Sequence, residues 1–317
     1  MAKYITKRVV QAIPMLLIIT IICFGLMNLA PYNAIDTFVT PKMSVEQVEA
    51  IKIKYGFDQP VPVQYIKWLG NILQGDFGNS ILTKQKISSD LLIRIPNTIK
   101  LVLPSYLTAF LLAIVLGLIA GMNKNKWLDK LIDGFSSIGI AVPSFWLAMI
   151  FIYIFAYQLQ IFPIMGMHTI GMENNFGDYL RHFALPYFTL TLAFLPDLVR
   201  YVRSSTIGQL SEDYVMVQRA FGAGKYEILF KHVGKNVLLP IITKLGMALP
   251  MLVTGAIITE TVFGWPGIGP YFIAGIRGFD YPIVMAILLL SATLVILGNL
   301  MSDILYCLTD PRIKEMK

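Results

Sequence analysis

Six stretches of this chain are each long and apolar enough to cross a bilayer, and that restricts its fold more than any motif does. A span needs about 20 mostly apolar residues, and 9–30, 97–122, 132–158, 184–206, 236–262 and 282–307 all qualify. Lipid offers no hydrogen bonds, so backbone groups must pair within each segment, and the segments become helices. The expected fold is an all-α integral membrane protein of six transmembrane helices. The charge content agrees: 14% of the 317 residues are Asp, Glu, Lys or Arg, against about 25% in soluble domains. The fourth span is the least regular, because Asp197, Arg200 and Arg203 crowd its end.

A net charge of +7 would suit nucleic acid, but its placement suits lipid headgroups instead and implies no nucleic-acid partner. Lys3, Lys7 and Arg8 precede the first span, and Lys124, Lys126 and Lys130 join the second and third. Arg219, Lys225, Lys231 and Lys235 lie between the fourth and fifth, and Arg312, Lys314 and Lys317 follow the sixth. Loops 159–183 and 263–281 carry almost none. Cytoplasmic loops hold the excess of Lys and Arg, so both termini are expected in the cytoplasm. The basic, then apolar N-terminus shows no small-residue cleavage pattern and is expected to remain as an anchor. Residues 1–30 then form the N-terminus and first helix, 31–96 an extracytoplasmic cap domain, 97–309 a five-helix core, and 310–317 a cytoplasmic tail. Pro14, Pro104, Pro143, Pro186, Pro196 and Pro250 are expected to kink their spans, with neighbouring helices satisfying the freed carbonyls.

Two outer segments carry local signals. In the cap, Ser44 and Gln47 have capping-box spacing, which predicts a helix over 45–54. Pro60 and Pro62 imply an extended entry, Tyr65, Trp68, Leu69 and Ile72 repeat at helical spacing over 64–73, and Gly75 to Gly78 form a turn. Such a cap is either a lid over the membrane mouth or a docking surface for an external partner. At the end of the fifth span, Glu260 falls where the helix leaves the hydrocarbon, hydrated or paired, with Arg277 a candidate partner. An acid at membrane depth marks function by default. Gly264, Pro266, Gly267 and Gly269 cannot continue a helix, and such backbone is tolerated at membrane depth only beside a cavity or inside protein. Phe263, Trp265 and this turn therefore form a candidate gate.

The polar interruption Ser211 to Pro240 reads as two short amphipathic helices separated by Gly222 and Gly224. The second, about 225–232, sets Tyr226, Leu229 and Phe230 beside Lys225, Glu227 and Lys231. A helix this short is marginal alone. It requires either a partner's groove or the headgroup layer.

Catalytic and metal-binding patterns do not occur. No G-x-x-x-x-G-K-[ST] phosphate loop is present, so ATP hydrolysis has to come from elsewhere. His168, His182 and His232 are scattered, and Cys23 and Cys307 sit in apolar runs without metal or disulfide spacing. Asp197 is read as pairing with Arg200 three residues on, and Asp303 as interfacial. An ion-coupled secondary transporter would call for charges near mid-span or inverted repeats. The charges read as clustered at span ends, which argues against it, and no constellation supports an intramembrane enzyme.

Blocks along nearly the whole chain resemble the inner-membrane permease subunit of dipeptide/oligopeptide ABC importers. They are KYITKRVVQAIPML from Lys3, LAP ending at Pro31, YGFDQPVPVQY from Tyr55, QGDFGNS from Gln74 and VPSFWLA from Val142. RAFGAGKYEILFKHVGKNVLLP from Arg219, ETVFGWPGIG from Glu260 and DPRI from Asp310 complete the series. The resemblance implies a type I importer fold in a bacterial inner membrane, lining half of a pathway for di- or oligopeptides. It implies as partners a second homologous permease subunit, two cytoplasmic subunits that bind ATP and Mg, and an extracytoplasmic substrate-binding protein. Nickel, glutathione or another small solute is the alternative cargo. Loop 211–240 resembles the EAA loop that engages the ATPase, although Met216, Val217 and Gln218 stand where Glu-Ala-Ala would be. The coupling residues implied are Arg219, Ala220, Gly222, Gly224, Glu227, Phe230, His232, Asn236, Leu239 and Pro240. Candidates for the pathway or gate are Glu260, Phe263, Trp265, Pro266, Gly267 and Gly269. Candidates for binding-protein docking are Asp58, Gln59, Pro60, Gln64, Tyr65, Asp76 and Phe77.

Overall fold

A computed structural model describes residues 2–29, 43–234, 236–238, 241 and 256–309. Most of the fifth expected span, Pro250, the Leu239-Pro240 pair, Pro31 and the 310–317 tail lie outside the described residues. The first helix, α1, runs Ala2–Asn28. The cap contributes α2, Val45–Tyr55, and α3, Val61–Leu73. Long α4 (Ile87–Met122) is followed by α5 (Trp127–Ala141) and α6 (Ser144–Phe151), the last continuing as a π-helical turn to Gln158. Then come α7 (Phe176–Leu210), α8 (Asp213–Ala220) and α9 (Lys225–Glu227), which widens into a π-helical stretch to Val233. Short α10 (Ile257–Val262), α11 (Ile268–Arg277) and long α12 (Tyr281–Thr309) complete the chain.

Caps explain the boundaries. Ser44 and Gln47 close the reciprocal capping box of α2, and Gly56 at φ +71° ends it in the left-handed region. Pro62 does not extend the entry as expected. It sits in the first turn of α3, where a missing N–H costs nothing, and Pro60 is the extended residue. Helix α4 starts ten residues before the span at 97, because hydropathy marks only the part that lies in hydrocarbon. Asp90 in its first turn favours that start. Helix α7 likewise starts early, capped by Asn175, whose Oδ1 accepts from the N–H groups of Gly177 and Asp178 at 2.9 and 3.2 Å.

The expected third span is not one kinked helix. Helices α5 and α6 meet at 96°, because Val142, preceding Pro143, is driven to an extended φ of −83° and ψ of 118°. Among the described residues α4, α7 and Tyr281–Ile304 are each long and apolar enough to cross a membrane, and the bent pair makes a fourth. The apolar run in α1, Val10–Ile22, is shorter.

Helices α4 and α7 form the centre. In lipid there is no hydrophobic drive between helices, so close packing through small residues does the work. A β-carbon at Gly117 would lie 2.5 Å from that of Val202, and one at Gly121 would lie 2.6 Å from that of Thr206. This Gly-x-x-x-Gly seam was legible in the sequence and escaped the reading above. Between the two helices Ala109, Ala113, Val199 and Val202 are wholly buried. Helix α5 leans on α7, with Gly139 against Pro196. Asp129, 2% exposed, takes both a 2.5 Å and a 2.9 Å hydrogen bond from Arg203.

That pair replaces the expected one. Asp197 and Arg200 are both exposed and make no ion pair with each other. Asp303 is not merely interfacial: it accepts an ion pair from Arg8 at 3.2 Å, joining α12 to α1.

Candidate functional site

The two ends of α4 hold the two loops that matter. At the Asn123 end, α7 gives way to α8 after Leu210, and α8 stops at Ala220 with Arg219 and Ala220 exposed. Gly222 then adopts φ +81°, a conformation any side chain would resist, and its N–H donates to Arg219 O at 2.9 Å. Gly224 is extended at φ −70°, ψ 158° and starts α9. Lys225 Nζ donates to Asn123 Oδ1 at 3.3 Å, tying the loop to α4. Glu227 receives a 2.7 Å bond from Lys231 one turn later, which holds its carboxyl below the usual range.

The apolar residues of this loop divide between two faces. Ile228, Leu229 and Val233 are at most 2% exposed and join the core between α4 and α7. Phe221, Tyr226 and Phe230 are 84, 71 and 72% exposed. Spacing groups Leu229 with Tyr226 and Phe230, but burial separates it from them, because the stretch from Ile228 widens into a π-helix and Leu229 joins Ile228 and Val233 in the core. His232 and Asn236 are half-buried. Leu239 and Pro240 lie outside the described residues.

At the other end of α4, residues 94–98 grip the turn between α10 and α11. The Trp265 indole donates to Asn97 O at 2.8 Å, and Asn97 Nδ2 donates to Pro266 O at 3.1 Å. Ile268 N donates to Thr98 Oγ1 at 2.9 Å. Arg94 lies over the Tyr271 ring, 4.5 Å from its centre. Glu260 is not turned to Arg277. It is 1% exposed, and its Oε2 accepts from Gly269 N at 2.7 Å beside the Thr98 hydroxyl. A methyl at Gly267 would fall on the Glu260 carboxylate, and one at Gly269 would come 2.7 Å from Ile257 Cα. Those glycines make room for the acid and for backbone, while only Gly264, at φ +58°, uses the left-handed region. Phe263 and Trp265 are buried, and Phe263 O accepts from Gly166 N at 2.8 Å. Arg94, Asn97 and Thr98 were missed because a contact across about 170 positions leaves no local pattern.

The cap residues take varied positions. Asp58, Pro60 and Asp76 are exposed, and Gln59 and Phe77 are half-buried. Gln64 Nε2 donates to Gln59 O at 2.7 Å, and Asp76 Oδ1 accepts from Gly78 N at 2.9 Å. Tyr65 is occupied with α1: its hydroxyl meets Thr20 Oγ1 at 2.8 Å, and its ring meets Phe24 edge-on at 5.6 Å. Farther along, Ser80 Oγ donates to buried Asp280 at 2.6 Å, fastening the cap to the start of α12.

Loops gripped at opposite ends of one long helix suit a membrane machine worked from both sides. The profile described as binding-protein-dependent transport system inner membrane component matches residues 113–315, and its N-terminal companion matches 1–102. The chain belongs to this family of ABC transporter permease subunits, whose members are multi-pass membrane proteins without an ATPase site of their own. It is 41% identical over 315 residues to the oligopeptide transport system permease protein AppB of Bacillus subtilis (strain 168), covering 99% of this chain and all of that one. It is 32% identical over 314 residues to the glutathione transport system permease protein GsiC of Salmonella paratyphi A, with 99% of each covered.

Proposed function

We propose that this chain is the permease subunit of an ATP-driven peptide importer, forming half of its translocation pathway. The observation that carries the reading is the split loop at the Asn123 end of α4. An aromatic face of Phe221, Tyr226 and Phe230 is left exposed, while Ile228, Leu229 and Val233 anchor the same loop in the core. An exposed aromatic face on a marginal helix calls for a partner groove. Two cytoplasmic ATPases, each binding ATP and Mg, provide it, and their closure pushes the core through the anchored face. The six-span count, both termini in the cytoplasm and a bacterial inner membrane complete the proposal. A second, homologous permease supplies the other half of the pathway. The external binding protein docks on 31–96 and 263–281, and the Glu260 to Gly269 turn acts as the outer gate. Peptide cargo rests on the full-length likeness to the oligopeptide permease.

The test is uptake of tri-alanine by proteoliposomes holding the assembled complex. Uptake is expected only with binding protein outside and ATP within. Uptake driven by an ion gradient alone would refute the proposal, and uptake of glutathione in preference to peptides would move the cargo assignment.

A further inference from the structure

Two exposed charges on α7 lack a charged partner among the described residues. Asp197 and Arg200 are exposed and enter no ion pair or side-chain hydrogen bond among the described residues, whereas Arg203, one turn farther, is held by Asp129. Their depth follows from the α4–α7 seam. Val202 lies against Gly117 and Thr206 against Gly121, so the helices run in the same direction and Asp197 is level with Leu112. That is near the middle of span 97–122, with roughly 16 Å of helix between Leu112 and Asn123 at 1.5 Å per residue. Asp197 is therefore not at a span end. Charges at such depth face a bundle interior or water rather than lipid. Leu195, Leu198, Val199 and Val202 pack into the core, and Pro196 meets Gly139 of α5. Asp197, Arg200 and Ser204 share the face that is left, at i, i+3 and i+7.

We propose that Asp197 and Arg200 line the aqueous pathway and contact the charged ends of the passing peptide, a step that rests on the peptide-import reading. The Asp197 carboxylate accepts from an α-ammonium. The Arg200 guanidinium, a planar fork matched to a carboxylate, donates to an α-carboxylate. Every linear peptide has these two ends whatever its side chains, so the pair accepts varied sequences. Single charge-assisted contacts also let the cargo leave again, as a conducting path requires.

The test uses the complete importer in proteoliposomes with its binding protein, in a Cys23→Ala/Cys307→Ala background. Asp197→Cys and Arg200→Cys are expected to react with a membrane-impermeant methanethiosulfonate, and tri-alanine with ATP should slow that reaction. Separately, Asp197→Asn and Arg200→Gln should each lower tri-alanine uptake by about tenfold, the loss of one charge-assisted hydrogen bond. Binding-protein-stimulated ATP hydrolysis should persist. Two unreactive thiols would overturn the inference, placing these residues against lipid or the second permease. So would uptake that stays at the parental level in both variants. If the parental complex takes up no peptide at all, the import reading falls and takes the ligand with it. The thiol reaction alone still decides whether the two residues face water.

Discussion

Alanine at Gly267 tests directly how the turn between α10 and α11 is built. The added methyl falls on the Glu260 carboxylate, in a site where Glu260 is 1% exposed and Trp265 and Ile268 are wholly buried. Gly267 has an ordinary φ of −94°, so the penalty is steric, about 1–3 kcal/mol for overpacking. Glu260→Ala carries a different penalty. It strips the acceptor from Gly269 N–H, now bound at 2.7 Å, and an orphaned buried donor costs about 1–3 kcal/mol before the cavity is counted. Combined, the two changes relieve each other, because the methyl enters the space the carboxylate leaves. The pair should be less destabilised than the sum of the singles by about 1–3 kcal/mol, a coupling typical of residues in contact. The assay is the thermal midpoint of the purified complex in detergent. Large assemblies commonly unfold irreversibly, so the order of midpoints is read rather than a free energy. Each single variant should fall below the parent, and the double should lie no lower than the poorer single. A double variant that falls by the sum of both shifts would show that Glu260 and Gly267 do not share space.

Further outcomes follow from the same geometry. Gly222→Val meets no neighbouring atom but must hold φ +81°, a cost of about 1–2 kcal/mol. The ATPase subunits should then be lost in pull-down while membrane insertion persists, and intact assembly with normal transport would sink the docking assignment. Phe230→Ala, at a side chain 72% exposed, should weaken ATPase co-purification without moving the permease's thermal midpoint. Leu229→Ala, at 2% exposed, should instead lower the midpoint, because about 2–5 kcal/mol of packing is lost. Arg203→Ala leaves the Asp129 carboxylate buried and unpaired, costing about 3 kcal/mol, the lower end for such breaks because the guanidinium side chain is 24% exposed. Adding Asp129→Ala should recover part of that loss in limited proteolysis.

Much of this protein was determined locally and could be read without coordinates in space. Apolar runs marked the long helices, Ser44 and Gln47 announced α2, and Gly222 with Gly224 announced the break between α8 and α9, because each depends on backbone chemistry within a few residues. Other features needed distant partners. Leu229 and Phe230 are neighbours of equal hydrophobicity, and only the position of the α4–α7 core buries one and exposes the other. Pro143 signalled a disturbance, but the 96° turn between α5 and α6 depends on what each helix packs against. Asp197, Arg200 and Arg203 looked alike as charges at the end of one span. Tertiary structure decided that Arg203 is neutralised by Asp129 while the other two have no ion pair among the described residues, since an ion pair requires two groups within a few ångströms and says nothing about their separation in sequence. Glu260 shows the same division: its presence near a bilayer was plain from the chain, whereas its burial under Gly267 and Gly269 arises from a fold that brings residues 94–98 and 260–269 together.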